Sequence, residues 1–209
     1  MKQNNIRTFL AAALVAFGLA AYAGEFTYEW HTTDIITRPN APATITENDV
    51  LRGVTAYLID ADKLNQQTLL TSFFQDAGRT PFQDLVNVDG SRLSSAVITS
   101  EGSVENTSFS PPSAGTAGHA YFALTMQQDG ESLLYFSGYS TINSSSYSGE
   151  GTLVLNAASS HGGIHWTTTF AGSMTAGDGG GWYAAVPEPT SGVLVLLGLA
   201  ALALRRRRA

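Results

Sequence analysis

The segment YFALTMQQDGESLLYF (Tyr121–Phe136) carries the strongest structural signal in the chain. Two runs rich in aromatic and aliphatic residues flank the polar sequence Gln127–Glu131. Asp129-Gly130 lies in the middle of it, and both residue types tolerate a positive φ. The pattern therefore predicts a β-hairpin that turns at Asp129-Gly130.

Further short apolar runs lie on both sides of this hairpin and are separated by Ser- and Gly-rich turns. This cadence predicts a mainly β domain over residues 24–170, arranged as an antiparallel β-sandwich. The runs are Val54–Ile59, Leu93–Thr99, Gly151–Leu155 and Ile164–Phe170.

One segment has a helical rather than an alternating pattern. Between Asp60 and Asp76, five leucines and phenylalanines recur with an approximate period of 3.6 residues, which predicts a single amphipathic helix against a sheet face. Asp60 or Asp62 is the candidate N-cap, and Gly78 is the candidate stop. The Gly-rich residues 171–185 are predicted to be a flexible spacer.

Charge and cysteine content exclude several classes of function. The chain has a formal net charge of −6 and no cysteine. Residues 24–186 carry five basic and sixteen acidic side chains, a net charge of −11. This acidity argues against nucleic-acid binding, and the absence of cysteine excludes thiolate metal sites and a cysteine nucleophile.

Residues 1–23 have the pattern of a secretory signal peptide. Lys2 and Arg7 precede an apolar run from Phe9 to Ala20, which is short for a membrane span. Small residues then occupy the −3 and −1 positions of a cleavage site. We expect the Sec translocon to export the chain. Signal peptidase is expected to recognise Ala21 and Ala23 at these positions and to cut between Ala23 and Gly24.

Residues 186–209 have the pattern of a short membrane helix. Pro187 and Pro189 place its start at or after Thr190, and the apolar run ends at Leu204. A helix over 190–204 is about 22 Å long, which is marginal for a bilayer core of about 30 Å. The charges that follow are expected to stay cytoplasmic: Arg205, Arg206, Arg207 and Arg208.

The order Pro187-Glu188-Pro189, apolar run and arginine cluster resembles the PEP-CTERM sorting signal. The same tail is also labelled an ice-binding protein C-terminal domain. The resemblance implies a Gram-negative host that makes extracellular polysaccharide. It also implies that an exosortase, a membrane transpeptidase, recognises Pro187, Glu188 and Pro189. The glycine run at residues 179–181 raises the alternative of a GlyGly-CTERM signal, but it lies upstream of the Pro-Glu-Pro triplet and does not abut the helix.

Residues 24–170 contain no recognisable catalytic motif, and no cofactor is expected. His161 and His165 have the spacing of a helical metal pair, but Gly162 and Gly163 disfavour the helix, so no metal site is predicted. Aromatic residues suggest a sugar-binding surface as one alternative. They are Trp30, Trp166, Trp182, Tyr121, Tyr135, Tyr139 and Tyr147.

Three hypotheses for function follow from these patterns. The first is an exported, non-enzymatic surface or matrix protein that is transiently anchored in the membrane and then sorted by an exosortase to the cell surface or beyond. The second is a carbohydrate-binding module for extracellular polysaccharide. The third is an envelope hydrolase whose site assembles only in space.

Overall fold

The computed structural model describes residues 27–76, 79–110, 117–143, 150–167 and 180–185. Within these ranges the chain forms two sheets and two α-helices. The strands are β1 (Thr27–Thr32), β2 (Thr55–Asp60), β3 (Arg92–Val97), β4 (Thr107–Phe109), β5 (Ala117–Gln128), β6 (Glu131–Ser137), β7 (Ser140–Asn143), β8 (Glu150–Leu155), β9 (Ile164–Thr167) and β10 (Gly180–Ala185). The helices are α1 (Gln66–Asp76) and α2 (Phe82–Leu85), with short 3₁₀ turns at Val88–Gly90 and Ala158–His161.

The predicted hairpin is confirmed. β5 and β6 pair antiparallel with Gln128 opposite Glu131. Asp129 and Gly130 form the turn with φ values of 54° and 86°, as a type I′ hairpin turn requires. β5 is the longest strand and the centre of the large sheet, because β2 pairs along one edge and β7 and β6 share the other.

The large sheet has the order β3-β2-β5-β6-β10-β9, and β7 pairs with the first half of β5. The small sheet has the order β4-β1-β8. Side-chain hydroxyls join the two sheets at both flanks: Ser94 Oγ donates to the Ser108 carbonyl at 2.9 Å, and Ser140 Oγ donates to the Val154 carbonyl at 3.0 Å.

The central strands of the large sheet are buried on both faces, which explains the nearly continuous apolar runs of β5 and β6. One face packs against the small sheet, with Trp30 and Phe122 ring centroids 6.2 Å apart. The other face packs against α1 and α2 and includes Tyr121, Leu134 and Phe136. Because side chains alternate along a strand, neighbouring residues of β5 and β6 enter different cores.

The mainly β prediction is confirmed, but the predicted antiparallel arrangement is wrong for two strand pairs. β1 pairs parallel with β8, and β9 pairs parallel with β10. These pairs join strands that are distant in sequence or separated by long connections, and local alternation of apolar residues contains no information on their direction.

The predicted helix exists but starts later than expected. α1 begins at Gln66, and Asn65 Oδ1 caps it by accepting a hydrogen bond from the Thr68 amide at 2.8 Å. Asp60 ends β2 instead, and its carboxylate accepts from the Asp62 amide at 3.0 Å in a turn. The prediction of a single helix also missed α2, and Gly78 lies outside the described residues.

The prediction of a flexible spacer over residues 171–185 is wrong for its last part. Gly180–Ala185 is strand β10, which lies inside the large sheet between β6 and β9. Trp182 and Ala184 are fully buried. The β-domain therefore extends beyond residue 170 as far as Ala185.

Candidate sorting site and its attachment to the fold

β10 is the strand that leads directly to the predicted sorting signal. It ends at Ala185, two residues before Pro187. It pairs antiparallel with β6 through Trp182 opposite Tyr135, and parallel with β9 through Trp182 opposite Ile164. Both edges of β10 are therefore hydrogen-bonded, and the chain leaves a fixed position in the sheet.

Trp182 anchors this strand in the core. Its ring centroid lies 5.2 Å from that of Tyr135 at an interplanar angle of 51°. Its indole Nε1 donates to the Ser160 carbonyl at 3.0 Å. A fully buried tryptophan with its one polar atom satisfied contributes a large apolar area without an unpaired donor.

The glycines before Trp182 are structural. Gly180 has a φ of 76°, and a Cβ there would collide with the Phe136 carbonyl oxygen and lie 2.8 Å from the Ser137 carbonyl carbon. Gly181 has a φ of 147°, and a Cβ there would lie 3.1 Å from the His165 ring. These glycines let the chain enter the sheet beside β6, which explains a Gly-rich sequence where a spacer was predicted.

A cleft of about 580 Å³ lies beside the point where the chain leaves the fold. The half-buried rings of Phe73, Phe74 and Phe82 form its apolar side. Ring centroids are 4.9 Å apart for Phe73 and Phe74 and 5.8 Å apart for Phe73 and Phe82, both edge-to-face. The hairpin end of β5 and β6, Thr80-Pro81 and Ala185 complete the lining.

Sequence reasoning assigned Phe73 and Phe74 to the buried stripe of a helix and missed this cleft. The two residues do lie on α1, but beyond its fully buried residues Leu69 and Leu70. Phe73 and Phe74 both pack against the edge of the core formed by the helices and the large sheet, and each is only half-buried. No local sequence signal distinguishes this pair from Leu69 and Leu70, which are equally adjacent on the helix but buried.

The aromatic residues considered for sugar binding are mostly core residues. Trp30, Trp182, Tyr121 and Tyr135 are fully buried. Tyr139 is half-buried, Tyr147 lies outside the described residues, and Trp166 on β9 is 51% exposed. A sugar-binding surface made of the buried four is therefore excluded.

Two buried phenols connect segments of the fold by hydrogen bonds. Tyr135 Oη lies 2.7 Å from Ser159 Oγ, and Tyr121 Oη donates to the Leu64 carbonyl at 2.9 Å. Burial raises the pKa of both tyrosines well above the usual value for a phenol. Both side chains therefore stay neutral in the folded protein at physiological pH.

The described histidines do not gather into a site. His161 ends a 3₁₀ turn, and His165 lies on β9 with its ring stacked on Tyr183 at 5.1 Å. His119 Nδ1 lies 3.7 Å from Asp62 Oδ1 at the surface. Among the residues that the structure describes, no three His, Asp or Glu side chains are grouped to hold a metal ion.

The terminal site residues predicted from sequence lie outside the described residues. They are Ala21, Ala23 and Gly24, the triplet Pro187, Glu188 and Pro189, and the cluster Arg205, Arg206, Arg207 and Arg208. The predicted helix over 190–204 lies outside them as well. Within the described ranges, no helix combines the length and hydrophobicity needed to cross a membrane.

Comparison with known proteins identifies the tail. Residues 185–208 match the PEP-CTERM protein-sorting motif, which confirms the resemblance seen in the sequence. The motif marks an exported protein that is anchored in the membrane and directed to an exosortase. No curated protein and no solved structure shows a significant match to the chain.

Proposed function

We propose that this exosortase-targeted protein is a non-enzymatic component of the cell surface or of the extracellular polysaccharide matrix. The observation that carries the proposal is the attachment of the sorting motif directly to a strand of a compact β-domain. Processing near the Pro-Glu-Pro triplet then delivers the folded domain itself as cargo. Residues 24–186 carry a net charge of −11, which favours solubility outside the cell.

The test is the mass of the mature C-terminus in a host with and without its exosortase. We expect a shortened C-terminus only when the exosortase is present. Replacing Pro187, Glu188 and Pro189 together with alanine should leave the full-length protein in the membrane fraction, because the backbone before each proline is no longer held extended. Val193→Leu with Val195→Leu keeps the segment apolar and serves as the matched control. A full-length C-terminus in both hosts overturns the proposal.

We further propose that the N-terminal segment is a signal peptide cut between Ala23 and Gly24. The first described strand begins at Thr27, so this cut removes no described part of either sheet. N-terminal sequencing of exported protein should give Gly-Glu-Phe-Thr. A mature protein that begins at Met1 contradicts this proposal.

A carbohydrate-binding role is the second candidate, and Trp166 is the observation that favours it. Its ring is half exposed on β9, which is an edge strand of the large sheet, and exposed aromatic rings are the usual platforms for sugar rings. Trp166→Ala should then abolish retention of the protein on the host's own polysaccharide, whereas Val97→Ala on the opposite edge should not. Equal retention of the two variants argues against this role.

The third hypothesis, an envelope hydrolase, gains no support from the cleft beside Ala185. Its described lining has one carboxylate, that of Glu131, and no histidine. Acid–base hydrolysis requires a second converging group within hydrogen-bond reach.

A further inference from the structure

The position of Ala185 requires the sorting enzyme to come close to the folded domain. An extended chain advances at most about 3.5 Å per residue, so Pro187 lies within about 7 Å of Ala185 and Pro189 within about 14 Å. β10 is held on both edges and by the buried Trp182, so this reach starts at a fixed point. Any enzyme that grips the triplet therefore covers the surface around Ala185.

That surface contains the aromatic cleft, because Ala185 itself lines it. The cleft combines a cluster of partly open phenylalanine rings with hydroxyl and amide groups from Thr80, Thr125, Gln127 and Ser132. Its volume of about 580 Å³ is within the range of sites that bury a large side chain or small ligand. An apolar anchor residue of a partner would be desolvated there, as hot-spot residues of protein interfaces are.

The charges around the cleft favour a protein partner over a lipid surface. Glu131 lines the cleft, and exposed Asp129 directly precedes Gly130, which also lines it, whereas the described lining includes no lysine or arginine. The excess of carboxylates repels anionic lipid headgroups. The same excess complements a protein surface on which basic side chains surround an apolar protrusion.

We propose that the aromatic cleft docks the extracytoplasmic face of the exosortase while β10 remains in the sheet. An apolar side chain of the enzyme enters between Phe73, Phe74 and Phe82, and basic groups of the enzyme face Asp129 and Glu131. The contact places the triplet at the membrane surface in reach of the enzyme and adds a second point of binding on the same substrate. This inference rests on the proposed processing of the tail by an exosortase.

The test is the rate of tail removal in a pulse-chase experiment with the full chain in a host that has its exosortase. Phe82→Ala and, separately, Glu131→Lys should slow removal by about tenfold, which corresponds to losing one modest anchor contact. The second variant changes one half-exposed side chain and leaves the apolar core intact. Val97→Ala, at a side chain that is 60% exposed on the far edge strand β3, is the control and should be processed like the wild type.

Insertion of about twenty Gly and Ser residues between Ala185 and Val186 distinguishes a loss of docking from misfolding as the cause of slow processing. Such a linker spans about 25 Å on average and frees the triplet from the cleft. In this background the cleft variants should be processed at the same rate as the linker parent. A deficit that persists with the linker indicates a folding defect and contradicts docking.

Two other outcomes also overturn the inference. Wild-type rates for the Phe82 and charge-reversal variants show that the cleft is not contacted. Cleft-dependent binding of the purified full chain to anionic vesicles, without the enzyme, assigns the surface to lipid instead. If the wild type is never processed, the proposed function itself fails, and that result is distinct from both.

Discussion

The indole Nε1 of Trp182 donates a hydrogen bond to the main-chain oxygen of Ser160 at 3.0 Å. Ser160 Oγ in turn accepts from the Thr37 amide at 3.0 Å. One buried hydrogen-bond chain therefore ties the last described strand to a 3₁₀ turn and to a loop near the start of the domain. The strand that precedes the sorting signal is integral to the core.

Trp182→Ala should lower the free energy of unfolding by about 3–5 kcal/mol, because it leaves a cavity between the two sheets and an unpaired Ser160 carbonyl. Urea denaturation of the mature domain measures the change. Trp166→Ala removes the same side chain from a half-exposed position and should change stability by only about 0.5 kcal/mol. Similar losses in the two variants would refute the assignment of β10 to the core.

Gly180→Ala should destabilise the domain by about 3 kcal/mol. The substitution combines an unfavourable left-handed backbone with a collision against the main chain of β6. Gly130→Ala has the same backbone requirement, with a φ of 86°, but its Cβ would meet nothing within 4 Å, so about 1 kcal/mol is expected. Thermal unfolding of the two variants separates the cost of the backbone conformation from the cost of the collision. Equal unfolding midpoint temperatures would show that the collision is relieved without cost.

Stability should fall as the pH rises above about 10, the usual pKa of tyrosine. Burial raises the folded-state pKa of Tyr121 and Tyr135 above the unfolded value, so the unfolded state loses these protons first. The stability that comes from the buried, protonated tyrosines is fully present below pH 10. Above pH 10 the free energy of unfolding declines by about 1.4 kcal/mol per pH unit for each tyrosine. Denaturation at a series of alkaline pH values measures this slope, and Tyr135→Phe should reduce it. A slope that is identical in the variant and the wild type contradicts the prediction.

Asn65→Ala should cost about 1 kcal/mol, because the Thr68 amide at the start of α1 loses its side-chain acceptor. Asp62→Ala should cost less, since the Asp62 carboxylate makes only a 3.7 Å surface approach to His119 in the described structure. Chemical denaturation of both variants decides which residue caps the helix. A larger loss for Asp62→Ala would restore the cap position inferred from the sequence pattern.

Local signals were sufficient for the parts of the fold that depend on neighbouring residues. The hairpin at Asp129-Gly130 follows from two adjacent residues that accept positive φ, and the sorting motif follows from contiguous sequence. The helix was predicted, but its start was displaced because Asp60, Asp62 and Asn65 all resemble caps. Asp60 is excluded by its position at the end of a strand, and the hydrogen bond from the Thr68 amide identifies Asn65 as the cap.

The rest depends on pairing between distant segments. β10 was assigned to a spacer because its glycines resemble a linker, and nothing local reveals that Phe136 leaves no room for a side chain at Gly180. The parallel pairing of Tyr28 with Gly151 likewise has no local signature. The aromatic cleft arises where α1, α2 and the hairpin end meet, so it has no counterpart in any single stretch of the chain.

The parallel pairing of β1 with β8 and the position of β10 near the end of the chain determine when the core can form during export. A chain that crosses a membrane from its N-terminal end presents β1 first, but β1 has no parallel partner until residues 150–155 have crossed. β6 keeps an open edge until residues 180–185 follow. Only four residues separate Ala185 from Thr190, the predicted start of the membrane helix. If the predicted helix stops the chain in the bilayer, the core closes only shortly before that stop, and the chain stays unfolded enough to be translocated until export is nearly complete.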